Sequence, residues 1–83
     1  MEKQIGRVAH YFSKVGVAAI ELEDTLKVGE CIHIKGHTSD WTQVVESMQI
    51  EGGEIEQAER GQSVGIKVPE HAREHDAVYK VEE

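Results

Sequence analysis

The 83-residue chain contains one cysteine, one proline, one tryptophan and one phenylalanine, and each scarcity closes off a class of protein. A lone Cys31 cannot form an internal disulfide, so nothing points to an oxidising compartment and a cytoplasmic location is expected. A single proline, Pro69, with scattered glycines and 39% apolar residues suits a folded domain better than a disordered one. No apolar run approaches the ~20 residues a membrane span needs, and the opening MEKQIGRVAH lacks the apolar core of a signal peptide. Basic residues are also few: nine Lys and Arg face sixteen Asp and Glu, a formal charge of −7. Phosphate backbones are bound by basic side chains that neutralise them, so DNA is not an expected partner, and RNA or tRNA is disfavoured unless a local basic patch survives. No G-x-x-x-x-G-K-[ST] loop is present to cradle phosphates, so the chain is not a GTPase.

What the chain does hold is short stretches with a two-residue period. The clearest is LKVGECIHIKG, Leu26 to Gly36, where Ile32 and Ile34 alternate with Cys31, His33 and Lys35 as in a strand that buries one face. Gly29 stands ahead of it, where a tight turn requires positive φ. Val15 to Leu22 reads as a strand with Ala18, Ile20 and Leu22 inward. Gln62 to Val68 places Val64, Ile66 and Val68 inward, with Gly61 at the turn before it and Gly65 where another backbone approaches. Gln4 to Phe12 forms a strand with no clean phase, because Ile5 and Ala9 fall on one face and Val8 and Phe12 on the other; either both faces are covered or a bulge intervenes. Trp41 to Ile50 forms a strand whose phase changes between Val45 and Met48, which predicts a bulge near Glu46 and Ser47. Gly52-Gly53 is a turn, and Ala77 to Val81 is the last strand, with its phase open. Six such strands without helical period predict one all-β domain over residues 1–83, a small closed six-stranded β-barrel of the Greek-key type, with residues 1–3 and 82–83 as loose ends.

The order and spacing of Gly29-Glu30, the strand ending at Gly36, Ser47-Met48, Gly61 and Val64-Gly65-Ile66 resemble the second domain of translation elongation factors of the Tu type, over about Ile5 to Val81. The same kind of barrel is similar to one appended to some collagenase-like peptidases. The elongation-factor resemblance implies a stand-alone, non-enzymatic barrel that docks on a protein or ribonucleoprotein, or an RNA-binding accessory factor in translation. In that family a glutamate on the fourth strand helps to hold the aminoacylated end of tRNA, and Gln49 stands at its position here. A glycine precedes the last strand in that family, where this chain has His75.

Candidate sites are sparse. His71 and His75 are four apart among Glu70, Glu74 and Asp76, and on a helix could share a metal ion; the segment follows Pro69 and reads instead as a solvated loop, so no metal and no cofactor is assigned. Cys31 with His33 and His37 lacks an orienting third group, so no catalytic residue is assigned. His33, Lys35, His37 and Trp41, with Gln49, make the expected partner surface, since exposed Trp is enriched at protein contacts; Trp41 could equally plug one end of the barrel.

Overall fold

Alternating apolar residues with β-branched side chains favour the pleated, half-buried environment of a strand, and in the computed structural model, which describes residues 2–82, they form ten strands and no helix. These are β1 (Glu2–Phe12), β2 (Val17–Leu22), β3 (Leu26–Lys27), β4 (Cys31–Lys35), β5 (Asp40–Val44), β6 (Met48–Ile50), β7 (Gly53–Ile55), β8 (Gln57–Ala58), β9 (Ser63–Lys67) and β10 (Ala77–Val81). Eight of them form one antiparallel sheet in the order β5-β4-β10-β1-β2-β9-β6-β7, and β3 pairs with β8. The inward set is the expected one: Ala18, Ile20, Leu22, Ile32, Ile34, Met48, Val64, Ile66 and Val68 are all buried. Burying each large aliphatic side chain contributes about 1.5–3 kcal/mol relative to exposure.

Strand β1 resolves its uneven phase with bulges. Its register shifts between Gln4 and Gly6 against β10, and between Val8 and His10 against β2. Each extra residue rotates the strand beyond it, so Ile5 and Val8 both reach the core although they are three apart. Glu2 and Lys3 are not loose: they pair with Val81 and Lys80, and Lys3 forms an ion pair with Asp24 at 2.6 Å. Residues 1 and 83 lie outside the described residues. The last strand takes its phase from Val78, which is buried, and the loop before it buries Ala72 and Asp76.

The closed six-stranded barrel is not what forms. The hydrogen-bonded order has two ends, β5 and β7, and the expected strand from Trp41 to Ile50 is split in two. Val45 is fully buried, its N–H donates to Glu30 O at 2.9 Å, and its carbonyl accepts from Gly29 N–H at 2.8 Å. Held there, the chain leaves β4 and crosses to pair with β9 and β7, so the phase change near Glu46 and Ser47 is a crossing between sheet positions, not a bulge within one strand. Where a further ladder would close the sheet, the Gln43 side-chain amide donates to Lys67 O at 2.9 Å. The remaining space is a cleft of about 360 Å³.

Two turns obey backbone chemistry. Gly29 has φ of 97° and Gly61 of 89°, both in the region that glycine enters without steric cost. The turn between β6 and β7 consists of Glu51 and Gly52 (φ 50° and 81°), one residue earlier than Gly52-Gly53; positive φ at both central positions matches the strand twist of a two-residue hairpin.

Gly6 is a different case, because a Cβ there would lie 2.3 Å from the Glu21 carbonyl oxygen, a backbone atom that cannot swing aside. Gly6→Ala is expected to cost roughly 1–3 kcal/mol in urea denaturation. Gly53→Ala, whose Cβ would meet only Ile50 O at 3.5 Å, should stay within about 0.5 kcal/mol of the parent.

Candidate functional site

The polar face of β4 carries Cys31, His33 and Lys35, because the period of two that sends Ile32 and Ile34 inward sends these outward. In register, His33 lies between Tyr79 on β10 and Thr42 on β5. Its ring is held from two sides: Nδ1 contacts Glu2 Oε2 at 2.8 Å and Nε2 contacts Asp40 Oδ1 at 2.5 Å. One imidazole thus ties the start of β1 to the start of β5, with β4 and β10 between them. The hydrogen bond to Asp40 is the main reason that His33 holds its proton above the ordinary histidine value near 6.5; partial burial opposes it and Glu2 adds to it. The same bond lowers Asp40 below the ordinary 3.8.

This clasp removes Cys31 and His33 as a nucleophile and base, since neither ring nitrogen of His33 is free to take a thiol proton. The expected partner surface is also divided. His33 and Lys35 lie on the outer side of β4, and His37 is exposed in the turn after it. Trp41 sits opposite Ile34, packs against the core and donates its indole N–H to Gln43 Oε1 at 2.9 Å, so it fills space on the inner side. Gln49 is exposed on β6 between Glu54 and Gly65, six places from β5 in the sheet order. A Cβ on Gly65 would meet a Val17 methyl at 3.2 Å and Gln49 O at 3.9 Å, so both a side chain and a backbone approach that glycine.

In the 70–76 segment no helix places His71 and His75 on one face. His71 stacks on Tyr11, ring centroids 4.3 Å apart. His75 has positive φ, 74°, and its N–H donates to Val8 O at 2.8 Å; histidine tolerates that conformation better than most residues. Among the described residues no group of three or more His, Cys, Asp or Glu is placed to hold a metal ion. None forms a helix long and apolar enough to cross a membrane.

Two carboxylates were not legible as partners. Asp40 reads in sequence as one of a polar turn cluster, and Glu2 as part of a loose end; no local spacing links either to His33. Asp76 is 4% exposed, with Oδ2 accepting from Arg73 N–H at 2.9 Å. Its carboxylate occupies the space where a side chain at Gly36 would begin, which explains a glycine at the end of β4.

No family model matches the chain. It is 44% identical over 81 residues to a protease described as uncharacterized from Methanocaldococcus jannaschii, covering 96% of this chain and 20% of that protein. It is 37% identical over 78 residues to a collagenase of Porphyromonas gingivalis, covering 92% of this chain and 22% of that one. The chain therefore spans about a fifth of the length of these relatives. Two crystal structures of the C-terminal domain of a U32 peptidase from Geobacillus thermoleovorans share its fold. One superposes with a TM-score of 0.88 at 25% identity, covering 94% of this chain and 91% of that domain. The other, its selenomethionine form, gives 0.87 at 24%.

These findings correct the reading by kinship to elongation factors. The relatives are named for peptidases, so a stand-alone translation module, a tRNA-binding accessory factor and a non-enzymatic affiliation are all overturned. The physical reason is that Gly-acid turns and alternating strands are demanded by any small β-domain of this shape; they carry fold, not descent or activity. Of the two resemblances, the one to collagenase-like peptidases agrees with the names of these relatives.

The His33 clasp sets a pH dependence. Its folded pKa is raised, so its contribution to stability is complete below the unfolded value near 6.5 and is lost as pH rises through the higher folded value. The urea midpoint should therefore fall as pH rises from about 6.5 through the higher folded value, and Asp40→Asn should flatten that fall. Ring-proton NMR of His33 should show its titration moving down in the same variant.

Proposed function

We propose that the chain acts as a peptidase-family domain, taking the place in a peptide-cleaving protein that the C-terminal β-domain takes in the Geobacillus U32 peptidase. The observation that carries this is the coincidence of limits. The segment matched to the archaeal protease covers 96% of this chain, and the structural match covers nine-tenths or more of both this chain and the isolated domain. What is shared is a whole folding unit, its core included, and not a scattered motif. Such a unit with its own buried core folds by itself and can be joined to others.

On this reading peptide-bond cleavage is the activity of the protein in which the domain works, and its protein partner is the rest of that peptidase. The described residues supply a β-scaffold, a clasp at His33 and an open cleft. Cytoplasmic residence belongs to the same reading, motivated by the single cysteine.

The test is a transplant. In the Methanocaldococcus jannaschii protease, the matching 81 residues are replaced by this chain, and cleavage of denatured protein substrates is compared with the parent and with a deletion. Restored cleavage is expected. A soluble, folded chimaera no more active than the deletion would reject the reading.

A further inference from the structure

Both ends of the eight-stranded sheet border recesses, and these adjoin. The cleft beside β5 is lined by Gln43, Val44, Lys67, Val68 and Pro69, and it shares Glu46 and Ser47 with a second recess lined by Glu54 and Ile55 of β7. The second recess holds about 330 Å³ and has Val28 and Met48 in its wall. The two recesses adjoin at Glu46 and Ser47, a two-part channel between the ends of the sheet.

The backbone of β5 is available to that channel. Gly36 N–H donates to Ser39 O at 2.7 Å and Val45 N–H to Glu30 O at 2.9 Å at the two ends of the β4–β5 ladder. Backbone groups alternate in direction along an antiparallel strand, so Trp41 and Gln43 share the direction of Ser39 and Val45 toward β4. Thr42 and Val44 turn their N–H and C=O outward, and among the described residues no strand pairs with that flank. Edge strands are ordinarily blunted by Lys, Pro or a bulge. Here the strand is DWTQV, with neither Lys nor Pro nor a bulge; its one charge, Asp40, is engaged by His33, and Val44 is 53% exposed.

Charge selects what could lie there. Glu46, Glu54 and Glu56 surround the second recess, and none is in an ion pair with another described residue. Lys67 on the rim of the first recess leaves that end to an uncharged side chain, beside Val44, Val68 and Pro69. The overall charge of −7 acts in the same direction, attracting cationic segments and opposing both a nucleic acid and a second copy of the chain.

We propose that the channel binds an extended peptide segment with apolar and basic side chains, its backbone adding to β5 as a further strand. Main-chain hydrogen bonds to an exposed edge supply affinity in this mode, and alternate side chains supply selectivity. Peptide binding of this kind rests on the channel and goes beyond the peptidase reading, which could fail in the transplant while peptide binding held.

The test titrates the isotope-labelled 83-residue chain with capped octapeptides that alternate Val with Lys, alternate Val with Glu, or repeat the first with alternate amides N-methylated. Shifts centred on Thr42, Val44 and Glu54 to Glu56 are expected with the Val/Lys peptide. The other two peptides should bind at least about tenfold more weakly. Val44→Lys and the pair Glu54→Lys with Glu56→Lys should each weaken binding by a similar factor, while Val15→Ser, exposed on the β1–β2 turn, should leave it unchanged. Val44, Glu54 and Glu56 are all exposed, so if one of the two weakening variants fails to fold the other still decides. Equal affinity for the Val/Lys and Val/Glu peptides, shifts elsewhere, or no saturable binding would overturn the proposal. So would self-association abolished by Val44→Lys, which assigns the edge to a second copy.

Discussion

The course of the chain at Val45 governs the rest of the architecture. A fully buried side chain and two backbone hydrogen bonds, to Glu30 and from Gly29, hold this residue at the exit of β5. Main-chain groups buried away from water must be paired, and Val45 finds its partners at Glu30 and Gly29, in the turn before β4 where the β4–β5 ladder ends. The next residues are therefore free to cross to β9, and β5 stops after five residues. The two recesses adjoin just after that departure, at Glu46 and Ser47.

Around this opening the domain is tied by side chains as much as by ladders. Gln43 reaches Lys67, His33 joins Glu2 to Asp40, and Lys80 meets Glu30 at 3.4 Å. Exposed ion pairs contribute little singly, and the core of aliphatic side chains provides most of the stability. The side-chain ties act on geometry instead: they fix where the short strands sit while leaving the outward edge of β5 unpaired.

The legibility of the sequence varied with the range of the interactions involved. Ile32 and Ile34, or Ala18, Ile20 and Leu22, could be assigned inward because a period of two is a local property of the chain. Gly29 and Gly61 were likewise readable, since positive φ is a demand of a few consecutive residues. The break after Val45 read as a bulge because a change of phase looks the same whether the strand bends or leaves for another neighbour. The clasp at His33 was hidden for a related reason: Glu2 is thirty-one positions away and Asp40 seven, and only the pairing of β1, β10, β4 and β5 places them around one ring.

By itself, then, the sequence determined an all-β domain, its inward residues and most of its turns, because alternation and glycine placement act through neighbours along the chain. Tertiary structure alone decided that the sheet stays open, that Trp41 fills the inner side while His33 holds two carboxylates on the outer one, and that both terminal strands border one channel. Those outcomes depend on which strands become neighbours, and that choice is made by the burial of the whole apolar set at once.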